Sequence, residues 1–93
     1  MKIDSNALTV HHKEARQRFE IQIESHSAEL TYVLHGDTII FKHTEVPPAL
    51  EGQGIGSLLV KAGLAYARDH KYKVESLCWF VSGYIQRHPD ALG

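Results

Sequence analysis

The stretch that decides the fold is TIIFKHTEVPPALEGQGIGSLLVKAGLAYARDH, residues 38–70. It opens with an apolar, β-prone segment that stops at Pro47 and Pro48, because proline cannot continue a strand ladder. A glycine-rich turn follows, and an amphipathic helical pattern begins at once over 54–70. The first N–H groups of a helix have no partner inside the helix, and glycines let an anion approach them. The stretch therefore predicts a strand, an anion-binding turn and a helix. Such a turn indicates a cofactor that carries phosphate groups.

Upstream of this stretch the sequence predicts an antiparallel meander. Phe19, Ile21 and Ile23 alternate with polar residues, which is the period of a strand. Residues 28–34 are a second candidate strand and residues 38–46 a third, with turns predicted at 25–27 and 35–37. Turns this short join antiparallel neighbours.

Downstream of the helix the sequence predicts a strand over 73–77 and a short helix over 80–87, which Pro89 ends. The strands 38–46 and 73–77 flank the helix, so we expect them to be parallel with a right-handed crossover. Ligands of such sheets bind at the carboxyl ends of the strands, where both the glycine-rich turn and Cys78 fall. Gly63 costs the helix about 1 kcal/mol relative to alanine and is expected to mark close packing on the sheet.

Composition bounds the class of protein. The 93 residues, read as one domain over 1–93, carry 10 basic and 11 acidic side chains and a formal charge of −1, which gives no case for a nucleic-acid or membrane partner. Residues 1–6 lack the apolar core of a signal peptide, and no apolar run approaches the roughly 20 residues of a membrane span. The single cysteine predicts a reducing, cytoplasmic location. The seven histidines are scattered, so we expect no metal site.

Several short sequence motifs follow one another along the chain in a specific order. They are Phe19-Glu20, HTEVPP at 43–48, EGQGIG at 51–56 and LCWFV at 77–81, followed by Tyr84-Ile85 and His88-Pro89. In this order they resemble the GNAT-type superfamily of N-acetyltransferases, in its smallest, stand-alone branch, over nearly the whole chain. The resemblance implies an α/β (α+β) fold: an antiparallel meander, then strand–helix–strand–helix with a splayed parallel pair.

The resemblance also implies a cofactor, acetyl-CoA or coenzyme A, and an amine acceptor that is either a small molecule or a protein. Backbone N–H groups near Val46 would hold the acetyl carbonyl and pantetheine, and those of residues 53–57 the pyrophosphate. The implied cofactor-binding residues are Val46, Gly52, Gln53, Gly54, Ile55, Gly56, Ser57, Cys78, Tyr84, Arg87 and His88. A monomer or weak homodimer is expected.

The chain departs from the family pattern at two points. Glu51 stands where the signature has arginine or glutamine, so we expect its carboxylate to point away from the pyrophosphate. The sequence also has no room for the pair of helices that usually follows the first strand and forms the acceptor pocket. The acceptor side is therefore expected to be open.

Four side chains are candidates for the chemistry. Cys78 lies between a strand and a helix. Its thiol is either activated and accepts the acetyl group, or it is simply a small buried apolar side chain. Tyr84 resembles the tyrosine that protonates the departing thiolate, against the alternative of an aromatic core residue. His43 and Glu45 share one face of a strand and either accept the proton of an amine or line a solvated face.

The remaining candidates have modest roles. His88 caps the last helix or contacts a phosphate, and Arg87 and Lys61 could reach the 3′-phosphate of coenzyme A. Ser57 contacts the pyrophosphate, caps the helix, or both. Trp79 and Phe80 are expected to pack the last helix on the sheet, with contact to pantetheine as the secondary alternative.

The sequence thus predicts an acetyl-CoA-dependent N-acetyltransferase. Two mechanisms stay open, namely direct attack by the amine and transfer through an acetylated Cys78. A coenzyme-A-binding module or an adaptor with little transferase activity is the alternative. A phosphate-loop nucleotide enzyme is excluded because no Lys-Ser or Lys-Thr follows the glycines.

Overall fold

A computed structural model of the chain describes residues 7–92. The signal-peptide prediction concerns residues 1–6, which lie outside this range. Five strands form one sheet in sequence order. The elements are β1 (His11–Lys13), β2 (Arg18–Ile23), β3 (His26–His35), β4 (Thr38–Glu45), α1 (Ile55–Asp69), β5 (Lys73–Ser76) and α2 (Trp79–Arg87). Strands β1 to β4 are antiparallel, and β5 pairs with β4 in parallel, which confirms the predicted fold class.

The core lies between the sheet and the two helices. Alternate residues of β2, β3 and β4 point to it, as Ile21, Leu30 and Phe41 do with no exposed surface. Helix α1 lies so close to this face that a Cβ atom on Gly63 would come within 2.8 Å of the Phe41 ring and 3.0 Å of Leu30. The predicted close packing at Gly63 is confirmed.

The first strand was not predicted. Strand β1 is three residues long, and a single 3₁₀ turn over Glu14–Arg16 joins it to β2. Its His-His-Lys sequence has no apolar alternation, so no strand pattern marks it. It pairs with β2 along all three residues. The His12 ring adds to this pairing, since it stacks on Phe19 with centroids 4.1 Å apart and shares a 2.7 Å hydrogen bond with the Tyr32 hydroxyl.

Several predicted boundaries were wrong by small amounts. The turn predicted at 25–27 occupies only Glu24 and Ser25, since Ile23 already pairs with His26. Glu24 has a φ of 53°, a left-handed conformation that closes the tight turn, so β3 begins earlier than its apolar pattern does. The helix predicted over 54–70 runs from Ile55 to Asp69, with Gly54 and His70 as its flanking caps. The strand predicted to reach residue 77 ends at Ser76, and the last helix begins one residue early, at Trp79.

Strand β4 contains an irregularity at the point where the sheet opens. Tyr32 of β3 pairs with Phe41, but its neighbour Thr31 pairs with His43, so Lys42 is an extra residue on β4. The pairing of β4 with β5 ends at Phe41 and Ser76, although β4 continues to Glu45. Bulges bend a strand and terminate pairing. The two parallel strands therefore part beyond the bulge.

Candidate active site

The parting of β4 and β5 opens a cavity of about 930 Å³. Its wall is made by the end of β4, the glycine-rich turn, the start of α1, and the junction of β5 with α2. The lining residues are Lys42, His43, Thr44, Glu45, Val46, Leu50, Glu51, Gly52, Gly54, Ile55, Gly56, Leu77, Cys78, Trp79 and Phe80. A cavity of this size holds a large part of a cofactor-sized molecule.

The bulge in β4 determines which side chains face the core side of the cavity. Thr44 lies directly opposite the buried Leu30, and residues paired in this way point to the same face of a sheet. Thr44 therefore points to the helix face, while His43 and Glu45 point to the open face. Without the extra residue the alternation that buries Ile39 and Phe41 would carry His43 and Glu45 inward instead.

His43 and Glu45 share one face, as the sequence predicts. The imidazole Nε2 lies 3.7 Å from the Glu45 carboxylate, and both side chains are about two-thirds exposed at 65% and 67%. An ion pair this exposed contributes little to stability. The two groups are free to contact a molecule that approaches the cavity from the open face.

Cys78 lies at the junction of β5 and α2, and a serine network fixes its backbone. The Ser76 hydroxyl donates to the Cys78 carbonyl at 2.8 Å and accepts from the Cys78 N–H at 3.3 Å. The Ser82 hydroxyl donates to the same Ser76 oxygen at 2.8 Å. The Ser76 hydroxyl thereby makes all three of its hydrogen bonds, one as donor and two as acceptor. These bonds hold the junction of β5 and α2 in one conformation.

Cys78 is buried, with 7% of its surface exposed. Its sulfur lies 3.5 Å from the Thr44 hydroxyl oxygen. Burial is the largest single influence on this thiol and by itself raises its pKa. The Thr44 hydroxyl and the backbone N–H groups of Val81, Phe80 and Thr44 oppose burial and outweigh it, so the pKa of Cys78 lies below the ordinary value of a cysteine. The predicted activation of the thiol at a helix start is consistent with this direction. Sequence reasoning missed Thr44, and its only signal was its place between His43 and Glu45.

The glycine-rich turn has a backbone that other residues rarely adopt. Gly52 and Gly54 have φ values of 80° and 77°, in the left-handed region that favours glycine. Gly54 is the cap residue before α1 and has no side chain to occupy the first N–H groups of the helix, which Ile55, Gly56 and Ser57 provide. A Cβ on Gly56 would lie 2.8 Å from the Phe80 ring, so α1 and α2 touch here.

The other residues near the glycine turn differ in how exposed they are. Gln53 lies between the two left-handed glycines, and Ser57 is half-buried in the first turn of α1. Glu51 is exposed and lies on the cavity wall. Val46, the residue after β4, also lines the cavity.

Six predicted residues are not among those that line this cavity: Gln53, Ser57, Lys61, Tyr84, Arg87 and His88. Tyr84, His88 and Lys61 line a separate cavity of about 450 Å³, where the Tyr84 and His88 rings are 4.4 Å apart. Tyr84 is 8% exposed, and it lies about 9 Å along the axis of α2 from Cys78 at 1.5 Å per residue. Arg87 is exposed at the end of α2. Tyr84, the predicted acid, therefore lines a different cavity from the one that Cys78 lines.

Two large apolar side chains stand exposed beside Cys78. Leu77 is 75% exposed and Trp79 84% exposed, whereas Phe80 packs against Gly56. The prediction that Trp79 packs the last helix on the sheet is wrong. Trp79 is the first residue of α2 and lines the cavity with most of its side chain in solvent.

Residues 7–92 contain neither a cluster of metal-binding side chains nor a membrane-spanning helix. Among residues 7–92 no three histidine, cysteine, aspartate or glutamate side chains are grouped so that they could hold a metal ion. Within the same range no helix has both the length and the apolar character of a membrane span.

Comparison with known proteins agrees with the resemblance found in the sequence. A model of the GCN5-related N-acetyl-transferase family matches residues 18–92. Protein NATD1 of Xenopus tropicalis is 31% identical over 88 residues, which span 91% of this chain and 81% of that protein. Protein NATD1 of Homo sapiens is 32% identical over 85 residues, or 88% of this chain and 75% of that protein. A GCN5-like protein of Staphylococcus aureus, solved by NMR, superposes with a TM-score of 0.72 at 30% identity and covers 95% of this chain and 86% of its own.

Proposed function

The chain belongs to the GCN5-related N-acetyltransferase family, and on that basis we propose that it binds acetyl-CoA and transfers the acetyl group to an amine. One observation carries the proposal. The left-handed glycine turn, the end of β4 and the Cys78 thiol, which are far apart in sequence, line a single cavity at the carboxyl ends of two parallel strands.

The residues of the cavity fit the parts of acetyl-CoA. The first N–H groups of α1 suit the pyrophosphate, because the turn before them has glycines at the two left-handed positions and no side chain at the cap. The free edge of β4 beyond Phe41 offers backbone groups to the amides of the pantetheine arm. The Val46 N–H would stabilise the oxyanion that forms on the acetyl carbonyl.

The position of the thiol favours transfer through Cys78. The sulfur would bond to the acetyl carbon as the bond from that carbon to the sulfur of coenzyme A breaks, and coenzyme A would leave as a thiolate that takes a proton from water. The amine nitrogen would then attack the new thioester and restore the Cys78 thiolate. Glu45, on the open face, would accept the proton that the amine loses.

Direct attack by the amine, with Tyr84 as the acid, has less support from the geometry, because Tyr84 lines the separate cavity. A cofactor-binding module is the second candidate function. It is favoured by the single 3₁₀ turn between β1 and β2, where the family has a pair of helices that shape the acceptor pocket.

The proposal is tested by intact-mass spectrometry of the protein after incubation with acetyl-CoA. We expect a gain of about 42 Da, one acetyl group, in the wild type and no gain in Cys78→Ala. The assignment is unambiguous because Cys78 is the chain's one cysteine. An adduct that persists in Cys78→Ala places the acetyl group elsewhere and rejects the Cys78 route.

Native mass spectra of the same samples separate the remaining outcomes. Bound acetyl-CoA without an adduct, followed by acetylation of an added amine, supports direct transfer. Bound acetyl-CoA without an adduct or turnover across an amine panel supports the binding module. If neither an adduct nor a complex forms, the cofactor assignment is wrong.

A further inference from the structure

We propose that Thr44 is the positioning residue that holds the Cys78 sulfur at the wall of the cavity where β4 and β5 part. The role of the thiol in acetyl transfer rests on the function proposed above, but the contact between the two side chains does not. Nothing in the sequence pattern assigns Thr44 a role, since it lies between two polar residues on a strand.

The first step is the direction of the Thr44 side chain. The extra residue on β4 turns Thr44 to the face of the buried Leu30 and brings its hydroxyl oxygen 3.5 Å from the sulfur. A threonine on a regular strand at this position would point to the open face, away from α2. The bulge therefore has a local consequence, which is to bring a hydroxyl to the thiol.

The second step is the freedom left to Cys78. Hydrogen bonds with Ser76 engage both its N–H and its carbonyl group, so its backbone is held in one arrangement. The torsion about Cα–Cβ is then the only coordinate that moves the sulfur. The Thr44 hydroxyl, on the neighbouring strand, selects the orientation in which the sulfur faces the gap between β4 and β5.

The third step is the charge on the sulfur. A thiolate has no proton to donate, so in that state the hydroxyl of Thr44 must be the donor. A hydrogen bond to a charged acceptor is stronger than one to a neutral group, so the contact favours the thiolate over the thiol. Thr44 thus affects both the orientation and the protonation of the same atom.

The test uses the pH dependence of Cys78 alkylation by iodoacetamide, followed by intact mass, in wild type, Thr44→Val and Thr44→Ser. Valine keeps the shape of threonine and removes the hydroxyl, while serine keeps the hydroxyl. We expect Thr44→Val to react about threefold to tenfold more slowly at pH 7, with its midpoint moved to higher pH. Thr44→Ser should stay within about twofold of wild type.

Thr31→Val is the matched control, because Thr31 is a threonine of the neighbouring strand whose hydroxyl contacts the His43 carbonyl at 3.4 Å and not the thiol. Its alkylation profile should coincide with that of wild type. If Thr44→Val does not fold, as judged by circular dichroism, Thr44→Ala replaces it, since alanine is smaller and also lacks the hydroxyl. The proposal is overturned if the profile of the folded variant without the hydroxyl matches wild type, or if Thr44→Ser is slowed as much as Thr44→Val.

Alkylation needs no acetyl-CoA, so this test and that of the proposed function fail independently. A slower Thr44→Val in a protein that takes no acetyl group supports the role of Thr44 and rejects the Cys78 route. Unchanged alkylation in a protein that does take the acetyl group rejects the role of Thr44 alone.

Discussion

Replacing Gly63 by alanine is expected to destabilise the protein, although the same change stabilises most helix positions. In an open helix, alanine gains about 1 kcal/mol over glycine because it loses less backbone entropy. At Gly63 the new Cβ would meet Phe41 carbons at 2.8 Å and 3.1 Å and a Leu30 methyl at 3.0 Å. Both neighbours are fully buried, so neither can move aside without displacing the sheet or α1.

The size of the effect follows from two opposing contributions. Inserting a methyl group into a packed core costs about 1–3 kcal/mol. Subtracting the helix gain of about 1 kcal/mol leaves a net loss of about 0–2 kcal/mol in the free energy of unfolding, with about 1 kcal/mol as its middle value. For a domain of this size a loss of about 1 kcal/mol lowers Tm by about 4–8 °C.

Gly83 in α2 provides the matched control. A Cβ there would meet only the end of the Arg87 side chain, at 3.3 Å, and that exposed guanidinium can rotate away. Gly83→Ala should therefore gain up to about 1 kcal/mol and raise Tm. Both variants are compared with wild type by urea unfolding, followed by circular dichroism because the exposed Trp79 reports poorly on folding. A Gly63→Ala protein that gains as much stability as Gly83→Ala would refute the packing argument.

Two further predictions follow from other parts of the fold. Burial lowers the pKa of His12 below its ordinary 6.5, with Glu14 raising it and His70 lowering it in smaller measure, so the folded state prefers the neutral ring. The stability from this preference is present above pH 6.5 and is lost as the pH falls below it. The unfolding free energy of His12→Phe should therefore vary less between pH 7 and 5 than that of wild type. Parallel curves for the two proteins would contradict this. Trp79, the chain's one tryptophan, lies 84% exposed at the cavity rim, so coenzyme A should change its fluorescence in a saturable titration, and no change despite binding seen by native mass would place the ligand elsewhere.

Much of the fold could be predicted because the chain changes its hydrophobic period sharply. Alternation in β2 and the three- and four-residue steps of α1 placed those elements correctly, and the short turns predicted antiparallel neighbours. Strand β1 was missed because its three residues carry no alternation, and the His12 ring adds to their pairing with β2. The turn predicted before β3 is too long, because the polar residues His26 and Ser27 already pair with β2.

The candidate site divides in the same way. The glycine turn and Cys78 were predicted to meet because each follows one of two parallel strands, and both line one cavity. Tyr84 was grouped with them by resemblance, yet its place on α2 takes it to a separate cavity. Trp79 was predicted to pack the last helix on the sheet, but as the first residue of α2 it is exposed.

The sequence by itself determined the order of the elements from β2 onward, the parallel pair and the position of the glycine-rich turn. These depend on local properties: the periodicity of apolar residues, the prolines that end β4, and glycines at positions with left-handed backbone. Only the tertiary structure decided which residues of β4 face the thiol. One extra residue opposite Thr31 and Tyr32 reverses the alternation, turns Thr44 inward and leaves His43 and Glu45 on the open face. The pairing of β4 with β3 fixes that register, and no pattern within β4 alone specifies it.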